Sequence, residues 1–244
     1  MNRETERVMI QHEENATIHA ARELLLGRFQ GVLATHSVEC TGYPFGSLLP
    51  FSIDRDGWPL ILISDLAKHT RNLIGDPHCS LTVVEAGDGD PQTRCRVSCL
   101  ADASPVREIG KAEVERHFRY FPESRDYYQE LNFRFYRLEP IRFYCVAGFG
   151  AARWISVDRM VEKNPFTYEQ ELVLLEDINL RFADALRQRL TDGSDTTALA
   201  VGVDPRGIDL RQGNRLRRLE LPAPAESQLN LLNQLGDWLH SPIP

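Results

Sequence analysis

A run of polar and cationic side chains occupies residues 64–72, where a buried strand is followed by a short helix. Its hydrogen-bond donors and cations are Ser64, Lys68, His69, Thr70, Arg71 and Asn72. A helix N-terminus adds unpaired N–H groups and partial positive charge, and Arg71 can hold a phosphate through two parallel hydrogen bonds. The run therefore predicts a binding site for a phosphate or carboxylate. The alternative is an ordinary solvated helix start that Asp65 caps.

Motifs of several common enzyme classes are absent from the chain. It contains no HExxH, no GxSxG and no Walker sequence. The glycines at 148 and 150 begin a pattern like a dinucleotide-binding fingerprint, but its last glycine is replaced by Arg153. The surrounding pattern is not a strand–turn–helix unit either, so we discard dinucleotide binding.

The composition is that of a globular protein with an acidic excess. The chain has 244 residues, a net charge of −7 and 42% hydrophobic residues, enough for one large domain or two small ones. The acidic balance argues against general nucleic-acid binding, although one basic loop can still hold a phosphate. No window approaches the roughly 18 apolar residues of a membrane span, and the N-terminus lacks a signal peptide's apolar core. We expect a cytoplasmic protein that binds neither nucleic acid nor membranes.

The cysteines support the same compartment. The five are odd in number and scattered, a pattern typical of unpaired thiols in a reducing compartment. Cys95 and Cys99 lie in a strand-like stretch, where four residues span about 13 Å. That is too far for one zinc ion, so we interpret both as small core residues.

Short strands separated by tight turns dominate the first 160 residues and favour a barrel or sandwich over alternating βαβ units. The predicted strands are 31–35, 45–53, 59–64, 79–84, 93–103, 133–138 and 141–147. The predicted helices are one that Thr17 caps after a frayed 1–14, then 68–74, 106–120 and 124–130. The helices are expected at the rim of the sheet.

A second domain follows a boundary near residues 160–165. Its predicted elements are a helix from 168 to 190, strands 197–203, 207–210 and 214–219, and a last helix ending near 239. A segment of about 80 residues is large enough for a small αβα domain. We therefore predict domains at 15–160 and 165–241.

Three segments, in this order, resemble the split-barrel proteins related to pyridoxamine 5′-phosphate oxidase, and most of all their haem-utilisation (HugZ/HutZ-type) branch. They are residues 47–51, 64–73 and 76–81. Further similar segments are 137–140, 146–150, 183–186, 202–210 and 215–219. The resemblance covers roughly residues 17–240, and it rests on the order and spacing of the segments together.

The resemblance implies an α+β fold, with a six-stranded antiparallel split β-barrel, flanking helices and a small C-terminal α/β domain. It also implies a homodimer with ligand sites at the dimer interface, and FMN or haem as cofactor, although members exist without either. In flavin-binding relatives the FMN phosphate lies against the segment that is 64–72 here. Those relatives carry Ser-Arg-Lys where this chain has Thr70, Arg71 and Asn72, so one lysine is missing.

Two departures from the branch concern haem. Its C-terminal domain usually opens with a His-Met-Asn-x-Asp-His run, whereas the aligned residues 177–182 contain no histidine. The arginine that follows its last barrel strand is displaced to Arg153, the candidate partner of a haem propionate. Haem iron needs an axial ligand, most simply a neutral imidazole. His240 has the position of the histidine that haem-degrading members use, and a solvated terminal histidine is the alternative.

Other conspicuous side chains are expected to be structural. His78 follows Pro77 at the start of a strand. His117, beside Arg116, is interpreted as part of a solvated helix face. The arginines of the tail are interpreted as a solvated basic face, and they are Arg206, Arg211, Arg215, Arg217 and Arg218.

Two functions are consistent with the sequence. The first is an FMN- and/or haem-binding oxidoreductase of haem-iron utilisation, which opens the haem ring with O2. The second is a non-catalytic regulator that binds tetrapyrrole or protein and has lost the haem-ligating histidines. The retained segment 64–72 favours the first, and the missing tail histidines favour the second. Oxidation of pyridoxamine phosphate itself is disfavoured, because the tail lacks that enzyme's substrate-binding pattern.

Overall fold

The computed structural model describes residues 3–148, 151–190 and 198–241. Phe149, Gly150 and Thr197, which the sequence analysis places in a motif and a strand, lie outside these ranges. The chain forms two compact units, Met1–Arg107 with Asp126–Glu162, and Glu108–Arg125 with Lys163–Pro244. The second unit thus includes a segment that precedes the last long strand of the first. Among the described residues, no helix has both the length and the apolarity of a membrane span.

The first unit is built on one antiparallel sheet of eight strands that curls into a half-barrel. The strands are β1 (Gln30–His36), β2 (Pro44–Pro50), β3 (Ser52–Ile53), β4 (Pro59–Ser64), β5 (His78–Val84), β6 (Arg96–Pro105), β7 (Phe133–Val146) and β8 (Ala152–Ile155). Their order is β2-β1-β5-β6-β7-β4-β3, and β8 pairs with β7. The predicted fold class is therefore confirmed, with more strands than the six expected.

The strand boundaries differ from the predicted ones for local reasons. The predicted strand 45–53 is divided at Phe51, whose backbone N–H donates to the carbonyl of Phe29 (3.0 Å). The two strands predicted at 133–138 and 141–147 are one continuous β7, which bulges at Ile141, opposite Leu100/Ala101 of β6, where the register shifts. The helix predicted from 106 begins only at 111, because the N–H of Val106 still pairs with the carbonyl of Phe135 (2.9 Å).

Two longer helices of the first unit are α1 (Arg3–Gly27) and α2 (Lys68–Gly75). The prediction that Thr17 caps α1 is wrong, since the helix runs through it. Thr17 Oγ1 instead donates to the carbonyl of Glu13 (2.9 Å), one turn back within the helix. The apolar face of α1 is buried in the barrel core and consists of Ile18, Ala21, Leu24 and Leu25. Side chains alternate between the two faces of each strand, so every second residue packs into the same core from the side of the sheet. Leu81 of β5 and Phe143 of β7 are examples.

The helices α3 (Lys111–Tyr120) and α4 (Ser124–Glu130) follow β6, and the short α5 (Val157–Met160) follows β8. The second unit has its own core around a three-stranded sheet. Its strands are β9 (Ala198–Asp204), β10 (Gly207–Gln212) and β11 (Arg215–Glu220), and its later helices are α6 (Tyr168–Arg181), α7 (Ala183–Leu190) and α8 (Gln228–His240). The single helix predicted over 168–190 is interrupted at Phe182, whose side chain is buried in this core.

Buried ion pairs join α3 to the rest of the second unit. Arg116 Nε lies 2.9 Å from Glu171 Oε1, and Arg119 donates to Glu171 Oε2 (2.9 Å). Tyr120 Oη donates to Asp209 Oδ2 (2.6 Å). A Cβ atom on Gly202 would lie 1.6 Å from Tyr120 Oη, so glycine is required for this close approach.

Two predicted solvated faces are in fact partly buried. His117 is only 1% exposed, and burial, reinforced by the charge of Arg116, lowers its pKa to about 3. Arg218, the one tail arginine with a 2% exposed side chain, contacts the carboxylates of Asp204, Asp209 and Glu220. The interpretation of both residues as solvated is therefore wrong, because each packs against elements distant in sequence.

Candidate functional site: a cationic helix start and a cavity on the sheet

The segment 64–72 links β4 to α2 in the first unit. Ala67 occupies the N-cap position of α2 and provides no side-chain cap for its first N–H groups. Asp65 is not the cap, because its carboxylate pairs with Arg134 (2.9 Å). An uncapped helix start retains donors and positive potential for an anion.

Lys68 and Arg71 point the same way from α2 and share one internal carboxylate. The ammonium of Lys68 contacts Glu39 in the β1–β2 loop, and Arg71 Nη1 lies 3.5 Å from Glu39 Oε1. The hydrogen bond and charge of Lys68 lower the pKa of Glu39 below its usual value. All three side chains are about half exposed, so an external phosphate or carboxylate can reach the cations but must compete with Glu39.

The neutral members Ser64, Thr70 and Asn72 are already engaged in hydrogen bonds within the first unit. Thr70 Oγ1 donates to the carbonyl of Ser64 (2.6 Å), and Ser64 Oγ accepts from the N–H of Leu66 (3.2 Å). Asn72 Nδ2 donates to Thr35 Oγ1 (2.9 Å), while its Oδ1 accepts from the N–H of Val38 (3.0 Å). These side chains therefore position the helix start and the loop that carries Glu39.

His69 supplies a hydrogen bond rather than a charge. Its Nδ1 lies 3.1 Å from Ser47 Oγ on β2. Burial lowers the pKa of His69 below that of an exposed histidine, so its ring is neutral at neutral pH. The positive charge at this site therefore comes from Lys68 and Arg71.

Arg153 on β8 presents a buried donor without a partner. Its Cα is paired across the sheet with that of Cys145 on β7. In the described part of the chain, Arg153 Nε is buried and donates to no acceptor. A buried N–H without a partner is costly, and a carboxylate or phosphate oxygen would satisfy it. The residue thus fits the role of an anion partner.

His240 is the last residue of α8 and lies in the second unit, whereas the other predicted site residues lie in the first. Its Nδ1 lies 2.6 Å from the backbone carbonyl of Gly236, an acceptor. Nδ1–H therefore donates to this carbonyl, which leaves Nε2 as the ring nitrogen that can ligate a metal.

A cavity of about 420 Å³ lies on the outer face of the first unit's sheet. Its lining residues come from five strands and include Ala34, His36, Pro44, His78, Leu100, Asp102 and Ile141. Sequence reasoning missed this cavity, because the pairing of β1 with β5 joins strands that are not consecutive in the chain. The available signal was the alternation of burial along β1 and β5, which turns His36 and His78 outward.

A curled antiparallel half-barrel, with a cationic helix start after its fourth strand and an extra C-terminal sheet, defines a split-barrel protein. Residues 11–162 match the family described as "CREG, beta-barrel", and the chain belongs to this family. The relationship to split barrels of haem utilisation predicted from the motifs is confirmed by the relatives.

Two relatives match in sequence. The chain is 29% identical over 237 residues to the chloroplastic heme oxygenase HOZ of Arabidopsis thaliana, covering 89% of this chain and 71% of the relative. It is 32% identical over 132 residues to the heme oxygenase HutZ of Vibrio cholerae, covering 52% of this chain and 74% of the relative.

Two solved structures are similar over nearly the whole chain. A heme binding protein from Mycobacterium smegmatis is 26% identical with a TM-score of 0.55, and the match covers 91% of this chain and 96% of that one. The protein Atu2129 of Agrobacterium tumefaciens, of unknown function, is 23% identical with a TM-score of 0.73, covering 91% and 94%. The second likeness shows the fold alone.

Proposed function

We propose that this protein binds haem and supports O2-dependent opening of its ring with release of iron. The observation that carries the proposal is that relatives matching 89–91% of this chain are named for haem oxygenation or haem binding. The unpartnered, buried Nε of Arg153 fits a haem propionate, which supports the same ligand. A non-catalytic tetrapyrrole- or protein-binding regulator is the alternative, favoured by the missing tail histidines in residues 177–182.

The chain's residues would bind and orient this group. Haem, when bound, supplies the redox chemistry. Arg153 of the first unit is the candidate partner of a propionate. His240 of the second unit is a separate candidate for the iron ligand, through Nε2. Lys68 and Arg71 would hold a second anionic group. That group is either another carboxylate or the phosphate of FMN, whose binding the same cations support.

The anion site makes a direct prediction for FMN binding. Replacing Arg71 by Ala should weaken FMN binding by about 1.5–3 kcal/mol, the contribution of a charged hydrogen bond. Replacing Glu39 by Gln should have the opposite effect, because it removes the internal competitor, and should tighten binding roughly two- to fivefold. Fluorescence titration with FMN measures both. An unchanged affinity in the Arg71 variant would place the FMN phosphate elsewhere.

A homodimer is proposed for the first unit. Large apolar side chains outside the cavity remain exposed on its strands, and they are Val32, Leu48, Val84, Tyr144 and Trp154. An apolar surface of this extent is typical of an interface, and a second copy of the chain would cover it. We expect sedimentation analysis at micromolar concentration to show a dimer. A monomer over that range would contradict the assignment of this face.

The charge and the thiols suggest where the protein acts. Its net charge of −7 provides no overall basic footprint for nucleic acid. All five cysteines are free thiols, as expected in a reducing compartment. We therefore propose a cytoplasmic protein with a small-molecule ligand, and cell fractionation would detect a different location.

A further inference from the structure

The cavity on the sheet of the first unit has an imidazole at its edge. His78 is the first residue of β5, and its Cα is paired with that of Asp102 on β6. Both residues line the cavity, together with the apolar side chains of Leu100 and Ile141. A mostly apolar cavity with a few polar groups is typical of a site for a small organic ligand.

Asp76 holds the His78 ring in one orientation. His78 Nδ1 lies 2.5 Å from Asp76 Oδ1, and the backbone N–H of His78 donates to the same oxygen (3.1 Å). This contact leaves Nε2 as the ring nitrogen that faces away from Asp76, and Nε2 lies 3.9 Å from Asp102 Oδ1 at the cavity wall. A carboxylate behind an imidazole is the usual support of a metal-ligating histidine.

We infer that a haem-class tetrapyrrole occupies this cavity with His78 Nε2 as a ligand of its iron. This inference rests on the proposed function. Asp76 acts as the positioning residue. The apolar side chains of Leu100 and Ile141 would face the ring, and the open side of the cavity leaves room for its charged edge. Ligation by His78 does not depend on His240, which lies in the second unit. The first unit thus supplies an iron ligand of its own, in a chain whose segment 177–182 lacks histidine.

His36 provides a matched control within the same cavity. It lies on the neighbouring strand β1 and also lines the cavity. No hydrogen bond within the described residues holds its ring in one orientation, unlike that of His78. His36 and His78 are both exposed, and replacing either by Ala should leave the fold intact.

The test is titration of the full-length protein with ferric haemin, followed by resonance Raman spectroscopy of the reduced complex. We expect His78→Ala to lose the iron–imidazole band and to bind haemin at least about tenfold more weakly, with the band restored by added imidazole. Asp76→Asn should lower haemin affinity about 10- to 100-fold and shift that band, as the loss of a carboxylate behind a ligand does. His36→Ala should match the unsubstituted protein.

The outcomes separate this inference from the proposed function. If His78→Ala keeps the band and the affinity while His240→Ala loses them, haem binding stands and His78 is not the ligand. If His36→Ala and His78→Ala have equal effects, the cavity binds the ring without ligation by His78, which also overturns the inference. If the unsubstituted protein does not bind haemin, both the inference and the proposed function fail.

Discussion

Replacing Glu171 by Gln should lower the free energy of unfolding by about 3–5 kcal/mol, the cost of breaking a buried ion pair. Glu171 is 1% exposed and accepts hydrogen bonds from Arg116 and Arg119. The amide keeps the shape of the side chain but removes its charge. Arg116, which is also buried, would then keep its charge but lose its ion pair with Glu171. Urea unfolding followed by circular dichroism measures the loss.

The same helix provides the control for this substitution. Asp177 pairs with Arg181 (2.9 Å) one turn along α6, and both side chains are substantially exposed. Replacing Asp177 by Asn removes the same charge from the same helix, and should cost less than about 0.5 kcal/mol. If the two variants were equally stable, the Arg116–Glu171–Arg119 contacts would not stabilise the second unit.

Stability should fall as the pH is lowered from 6.5 to 5, and His117 should account for a slope of up to about 1.4 kcal/mol per pH unit. Its pKa is about 3 in the folded protein, because burial disfavours the charged ring. In the unfolded chain its pKa returns to near 6.5, the usual value for histidine. Between these values the unfolded state binds a proton that the folded state does not. The stabilisation is therefore complete above pH 6.5 and is lost progressively below it.

The pH dependence is tested by urea unfolding at several pH values with His117→Gln. This variant should have a much smaller slope between pH 6.5 and 5, a window above the range in which ordinary carboxylates titrate. His69→Gln is the comparison variant, because burial lowers the pKa of His69 as it lowers that of His117. An unchanged slope in the His117 variant would mean that its ring is protonated in the folded protein.

The sequence predicted the features that depend on neighbours along the chain. A continuous apolar run located β4, alternating apolar residues located β5, and the residue types in 64–72 located a cationic helix start at Lys68. Each of these patterns lies within a short continuous stretch of the sequence, so it can be recognised without knowing which strands pair. The division of the long C-terminal helix at Phe182 was missed, because its apolar periodicity continues across the break.

Features that depend on the pairing of distant segments could not be predicted in this way. Polar residues on α3 indicate a solvated face, yet Arg116 and His117 are buried because the helix packs within the second unit. His78 could be assigned no more than a place at a strand start. Its neighbours in the cavity, Asp102 and Ile141, are brought to it by strand order.

The proposal that this split barrel binds haem is tested most directly by one absorption titration. The purified, full-length protein is titrated with ferric haemin, and the Soret band is recorded at each addition. We expect a saturable shift and sharpening of the band, because an imidazole of this chain replaces water at the iron. Arg153→Ala should weaken that binding, since Arg153 Nε is the buried donor that lacks a partner among the described residues. A Soret band that stays identical to that of free haemin at every ratio would contradict the account.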